Sequence, residues 1–149
     1  MANRTLRLSQ TITPFGVGAV YVVNGESFTT MDTSFWKTKS SKTISLPRLS
    51  DALGVDRFLT APIEPPFWNS GPTNTLPVLR FPQSLFCTAC RKIVMWTSHH
   101  ERQTDDEPPK HTCIGSKSPR LTPMRFVLVC KKGHMSDAPW GRWAHSAQD

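Results

Sequence analysis

At 149 residues, with 38% of them hydrophobic, the chain has room for one modest domain whose core is small for its surface. Eighteen Lys and Arg against eleven Asp and Glu give a net charge of +7, the direction expected of a nucleic-acid partner or an acidic protein surface. Thirteen prolines exclude an all-helical architecture, and no apolar run approaches the roughly 18 residues of a membrane span. The start, Met1 to Leu8, lacks the apolar stretch of a secretory signal, so a cytoplasmic protein is expected.

Along the chain, a β-branched run ending at Val23 meets Asn24-Gly25, the strongest short hairpin signal, because both central positions of a type I′ turn need positive φ. The pattern predicts strand 18–23 paired with 26–31. Gly16 and Gly18 just before it lack the Lys-Ser/Thr of a phosphate-binding loop and precede a strand, so a turn is the better reading. Residues 36–43 are polar and basic, a surface loop in which Lys37, Lys39 and Lys42 lie near Trp36. Leu46 to Gly54 reads as a short helix, proline near its start, Leu49 and Leu53 on one packing face, and Gly54 as the stop.

Residues 60–77 carry five prolines and form an irregular excursion, with Phe67 and Trp68 at its tip either tucked onto the core or offered to a partner. Leu76 to Phe81 resumes a strand, and the stretch after Cys90 is again β-like. Residues 97–109, with Asp105, Asp106 and Glu107, read as a solvated loop. Met124 to Cys130 is the most β-like run, followed by a Lys-Lys-Gly-His134 turn. Then comes a short helix capped by Ser136 or Asp137, whose Trp140 and Trp143 are expected to pack against the final strand.

The four cysteines carry the chemistry. Cys87-x-x-Cys90 lets one turn aim two sulfurs at one ion, and Cys113 is positioned to be a third ligand of a structural zinc. A second knuckle would need sulfur at Ser116, and a neutral hydroxyl is a poor zinc ligand. The fourth position therefore falls to Cys130, with His111, His134 or water as alternatives; Cys130 and His134 can also form a separate unit, a buried thiol bonded to an imidazole. A redox Cys-x-x-Cys would need a long helix after it, which the β-like sequence denies. No His-Glu-x-x-His, His-x-Glu or nucleophile-elbow pattern is present, so the chain is not expected to be an enzyme. The fold class expected is α+β and mostly β. It is a single zinc-ribbon-like domain over 1–149, with the hairpin and short helix in 1–60, the ribbon in 78–149, and long Pro-rich loops.

Phe86-Cys-Thr-Ala-Cys90, Arg125-Phe-Val-Leu-Val-Cys-Lys-Lys-Gly-His134, Ser136-Asp-Ala-Pro-Trp140 and Trp143-Ala-His145 together resemble the N-terminal part of the DrmB family. That family is the helicase-associated subunit of the DISARM anti-phage system. Phe15-Gly-Val-Gly18, Pro47-Arg-Leu49 and Val78-Leu-Arg-Phe-Pro82 extend the likeness over nearly the whole chain. The resemblance implies a non-enzymatic partner of a DrmA-like helicase, the pair engaging DNA through a largely electrostatic surface. Members of the family are several times longer, so a fragment, a split subunit or a reduced relative is expected. Their second knuckle is usually a full Cys-x-x-Cys, so zinc carries over onto Cys87, Cys90 and Cys113.

Lys37, Lys39, Lys42, Arg91, Lys92, Lys131 and Lys132 are the phosphate-contact candidates, the last four flanking the knuckles. A different reading is a regulatory or inhibitory module that mimics part of such a complex and blocks its assembly.

Overall fold

The computed structural model describes residues 7–36, 41–62, 76–104, 107–113 and 118–146. Lys37, Lys39, Phe67, Trp68, Asp105, Asp106 and Ser116 lie outside the described residues. The architecture is mixed α+β, mostly β, built of small sheets and short helices. Among the described residues no helix is long and apolar enough to cross a membrane.

The hairpin forms as its turn dictates: Val20–Val23 (β1) and Glu26–Thr30 (β2) flank Asn24 and Gly25, at φ 53° and 81°. A three-stranded sheet runs in the order β1-β2-β5, with β5 at Val78–Arg80. In β5 the usual alternation is inverted, for Leu79 is exposed and Arg80 is buried. Thr43–Ile44 (β3) pairs antiparallel with Phe58–Leu59 (β4) on either side of helix α1, Pro47–Leu53. Ser84–Cys87 (β6) is the middle strand of a second sheet, β7-β6-β8, with β7 at Ile93–Met95 and β8 at Leu121–Pro123. Helix α2, Ser98–Gln103, follows β7. Val127–Val129 (β9) and Met135–Asp137 (β10) make a second hairpin, with Val129 opposite Met135, and helix α3 is Trp140–Ala144.

The chain falls into two compact units, Val22–Phe28 with Arg80–Asp149, and Asn3–Tyr21 with Thr29–Leu79. In the first, Leu85 from β6, Trp96 after β7 and Leu121 from β8 close a core around the fully buried Cys87, with Val94 and Cys113 partly buried against it. In the second, the buried Phe15 meets Tyr21 edge-on at 4.7 Å, and the Thr30 hydroxyl donates to the Phe15 carbonyl at 2.9 Å. The Gly18 and Ala19 N–H groups donate to the Thr30 and Gly16 carbonyls at 3.0 and 2.9 Å, so this glycine segment spends them on the fold rather than on an anion.

Four local expectations differ from the structure. Helix α1 begins at Pro47 and ends on the left-handed Gly54, yet none of its residues is buried and Leu49 and Leu53 are exposed. Hydrogen bonds at its base fix it instead, where Lys42 and Thr60 are joined by two bonds of 2.8 and 2.9 Å. Residues 98–103 are helical because Thr97 caps them and the ring Nδ1 of His100 returns to the Thr97 N–H at 3.1 Å. The segment at Ser136 and Asp137 is a strand, and helix starts only at Trp140. Trp140 is partly buried, but Trp143 is 71% exposed and does not pack against the final strand.

Candidate metal centre

Strand β6 carries Cys87 into the core, and the turn at 88–90 returns the chain so that β7 can pair with it. The Cys87 N–H donates to the Lys92 carbonyl, and the Cys87 carbonyl accepts from the Arg91 N–H, both at 2.9 Å. To close this turn Arg91 takes φ 65°, a region that favours glycine. Cys113 arrives on the segment leading from Lys110, which bridges to Arg120 beside β8. The three sulfurs of Cys87, Cys90 and Cys113 lie within 4.8 Å of one another, with Cys87 and Cys113 3.3 Å apart. Two thiolates on a tetrahedral zinc stand about 3.8 Å apart, given Zn–S bonds of about 2.3 Å. The group therefore has the size and donor chemistry to hold one metal ion.

Electrostatics agree with that role. The backbone N–H of Cys90 points at the Cys87 sulfur and, against burial but with help from the Cys113 thiol, pulls Cys87 down to about 7. Cys113, bonded to that sulfur and then penalised by burial, is pushed up to about 12. The first proton to leave this pair is thus the one on Cys87. A cation seated among the three sulfurs would displace their remaining protons.

Cys130 stands elsewhere. It is exposed at the end of β9, 3.4 Å from His134 Nδ1, and it is not in the three-thiol group; nor is the half-buried His111, whose backbone N–H donates to the Pro119 carbonyl. Of the basic candidates, Arg91 and Lys92 are exposed beside the first turn and Lys131 and Lys132 in the second, while Lys42 is exposed in the other unit.

Two polar constellations escaped the sequence reading. The Arg80 guanidinium, 5% exposed, is bonded to Glu101, forms a 2.9 Å ion pair with Glu26, and lies 5.0 Å from the centre of the Phe28 ring. Burial works against its charge, but the bonds to Glu101 and Glu26 prevail and its pKa is raised. Arg120 adds a 3.2 Å bond to the other Glu26 oxygen. The second is Asp137, whose carboxylate accepts the Gln83 and Ser84 N–H groups at 2.9 and 2.7 Å and so pins the start of β6 to the end of β10. An arginine between Leu79 and Phe81 was the available signal for the first. The carboxylates it meets, 54 and 21 residues away, had none.

The profile of the family described as "Domain of unknown function (DUF8724)" matches residues 7–149. Among curated proteins, the DISARM protein DrmB of Bacillus paralicheniformis is 26% identical over 124 residues, which cover 83% of this chain and 21% of that protein. The chain thus spans about a fifth of the length of this relative, at 21%. With residues 7–149 matched, the chain belongs to the DUF8724 family, and it is a distant relative of DrmB of the DISARM anti-phage defence.

Proposed function

We propose that the domain is a non-catalytic module of a DISARM-type assembly, stapled by zinc at Cys87, Cys90 and Cys113, that docks on a helicase subunit and contributes a surface for DNA. The observation that carries the DNA reading is a set of exposed aromatic and basic residues just before β9, in the turn after it, and on α3. Phe126 and Trp143 are 70% and 71% exposed, and Arg125, Lys131, Lys132 and Arg142 are exposed near them in the chain. The partly buried Trp140 ring sits between the two aromatics, edge-on at 6.4 and 6.3 Å, which fixes their planes. Rings that stack on bases, set among cations that neutralise phosphates, suit single strands of any sequence. The helicase partner is part of the proposal, carried over from the resemblance to the DrmB family, of whose Bacillus paralicheniformis member this chain covers 21%. A structural rather than catalytic metal is supported by a donor group that, among the described residues, consists of three thiols.

Binding of labelled single-stranded DNA, followed by anisotropy across a salt series, tests this. Replacing Lys131 and Lys132 with Ala should weaken binding of all sequences alike and flatten the log–log salt slope by about 1.4. Trp143→Ala should cost about 1–3 kcal/mol. Unchanged affinity and slope in both variants would remove this face from the DNA surface. Failure to co-purify with a helicase subunit of the same system would remove the docking half.

A further inference from the structure

The turn at Cys130–His134 repeats, one residue shorter, the turn that builds the three-thiol centre. At the first, the Cys87 N–H reaches the Lys92 carbonyl at 2.9 Å, and the left-handed Arg91 returns its N–H to the Cys87 carbonyl at 2.9 Å. At the second, the Cys130 N–H reaches the His134 carbonyl at 3.0 Å, and the left-handed Gly133, φ 82°, returns its N–H to the Cys130 carbonyl at 2.9 Å. In both, the backbone N–H two residues after the first cysteine faces the sulfur: Ala89 for Cys87, and Lys132 for Cys130 at 3.3 Å. His134 stands where Lys92 stands in the first turn, and its Nδ1 is 3.4 Å from the Cys130 sulfur.

That last distance matters. With Zn–S of about 2.3 Å and Zn–N of about 2.0–2.1 Å, a sulfur and a nitrogen on one tetrahedral zinc lie about 3.6 Å apart. Both side chains are exposed, so a thiol–imidazole bond alone gains little against water. Lys131 and Lys132 repel a dication, but both are solvent-exposed and their charge is screened. We propose that Cys130 Sγ and His134 Nδ1 form a second, two-ligand site for zinc or a similar borderline-soft dication. It is separate from the three-thiol centre and leaves two positions on the ion for solvent or for donors of a partner.

The full chain, stripped of metal and titrated with Co²⁺, distinguishes the two sites by metal content and thiolate-to-cobalt charge-transfer absorption. The expected result is two cobalt ions per chain, one tight and one weaker. Cys130→Ala and His134→Ala, both at exposed positions, should each lose the weaker ion and keep the tight one. One ion per chain that both Cys130→Ala and His134→Ala retain, or an unchanged count in both variants, would overturn the second site. A single ion whose spectrum is altered by Cys130→Ala would overturn it too, by placing Cys130 in the first centre. Loss of the tight ion on Cys113→Ser, with the weaker retained, isolates the second site. Conversely, metal that survives Cys113→Ser undiminished but is lost in Cys130→Ala would leave the second site standing and refute the three-thiol centre.

Discussion

Arg91 holds a backbone conformation that its side chain does not favour, at φ 65°, because the turn after Cys90 must bend back to bond the Cys87 carbonyl. A left-handed residue with a Cβ costs about 1–2 kcal/mol, partly offset in a glycine variant by the larger entropy of its unfolded chain. Arg91→Gly is therefore expected to stabilise the domain by about 0.5–1 kcal/mol, and Arg91→Val to destabilise it by about 1 kcal/mol, in urea unfolding. A neutral or destabilising Arg91→Gly would mean that the turn relaxes around arginine at no cost. At this scale the sequence was readable where conformation is encoded in one or two residues. Asn24-Gly25 names its turn, because few other pairs take two positive φ angles. Arg80 was not readable, since its burial depends on Glu26 and Glu101, which only the folded chain brings to it.

Among the elements, β10 and α3 show how a tertiary bond overrides a local signal. Ser136 and Asp137 before Pro139 and Trp140 look like a helix cap, but the Asp137 carboxylate is already engaged by the Gln83 and Ser84 N–H groups. The chain therefore stays extended through Asp137 and pairs with β9. Helix α2 was hidden for the opposite reason. Its capping return comes from a histidine, His100, where the usual signature has Glu or Gln. Asp137→Ala would strand two backbone donors at the head of β6, where Ser84 is 1% exposed. The expected loss is about 2 kcal/mol, and about half that for Asp137→Asn, which keeps one acceptor. Equal stability of the alanine variant and the unaltered chain in urea unfolding would show that water replaces the carboxylate.

For the molecule as a whole, the sequence marks the cysteines but not how they group. Cys-x-x-Cys sets two sulfurs by spacing alone, and Cys113 and Cys130 were both expected beside them, but nothing local determines which of the two arrives. Cys113 does so because the segment at Lys110 bridges to Arg120 beside β8, and β8 pairs with the strand that carries Cys87. Cys130, one hairpin away, takes His134 instead. Among the described residues, the buried core around the centre consists of Leu85, Cys87, Trp96 and Leu121, one of which is itself a ligand candidate. So small a cluster supplies little burial energy to offset chain entropy, and a tetrahedral staple adds several kcal/mol directly to folding. Removing metal with a chelator should then lower the melting temperature by about 10 °C or more. Cys113→Ser should start from that lowered value and be indifferent to chelator, whereas Cys130→Ala should remain fully sensitive. A chain that melts at the same temperature with and without chelator would mean that this core holds without the ion, and that the three thiols are packed for their own sake.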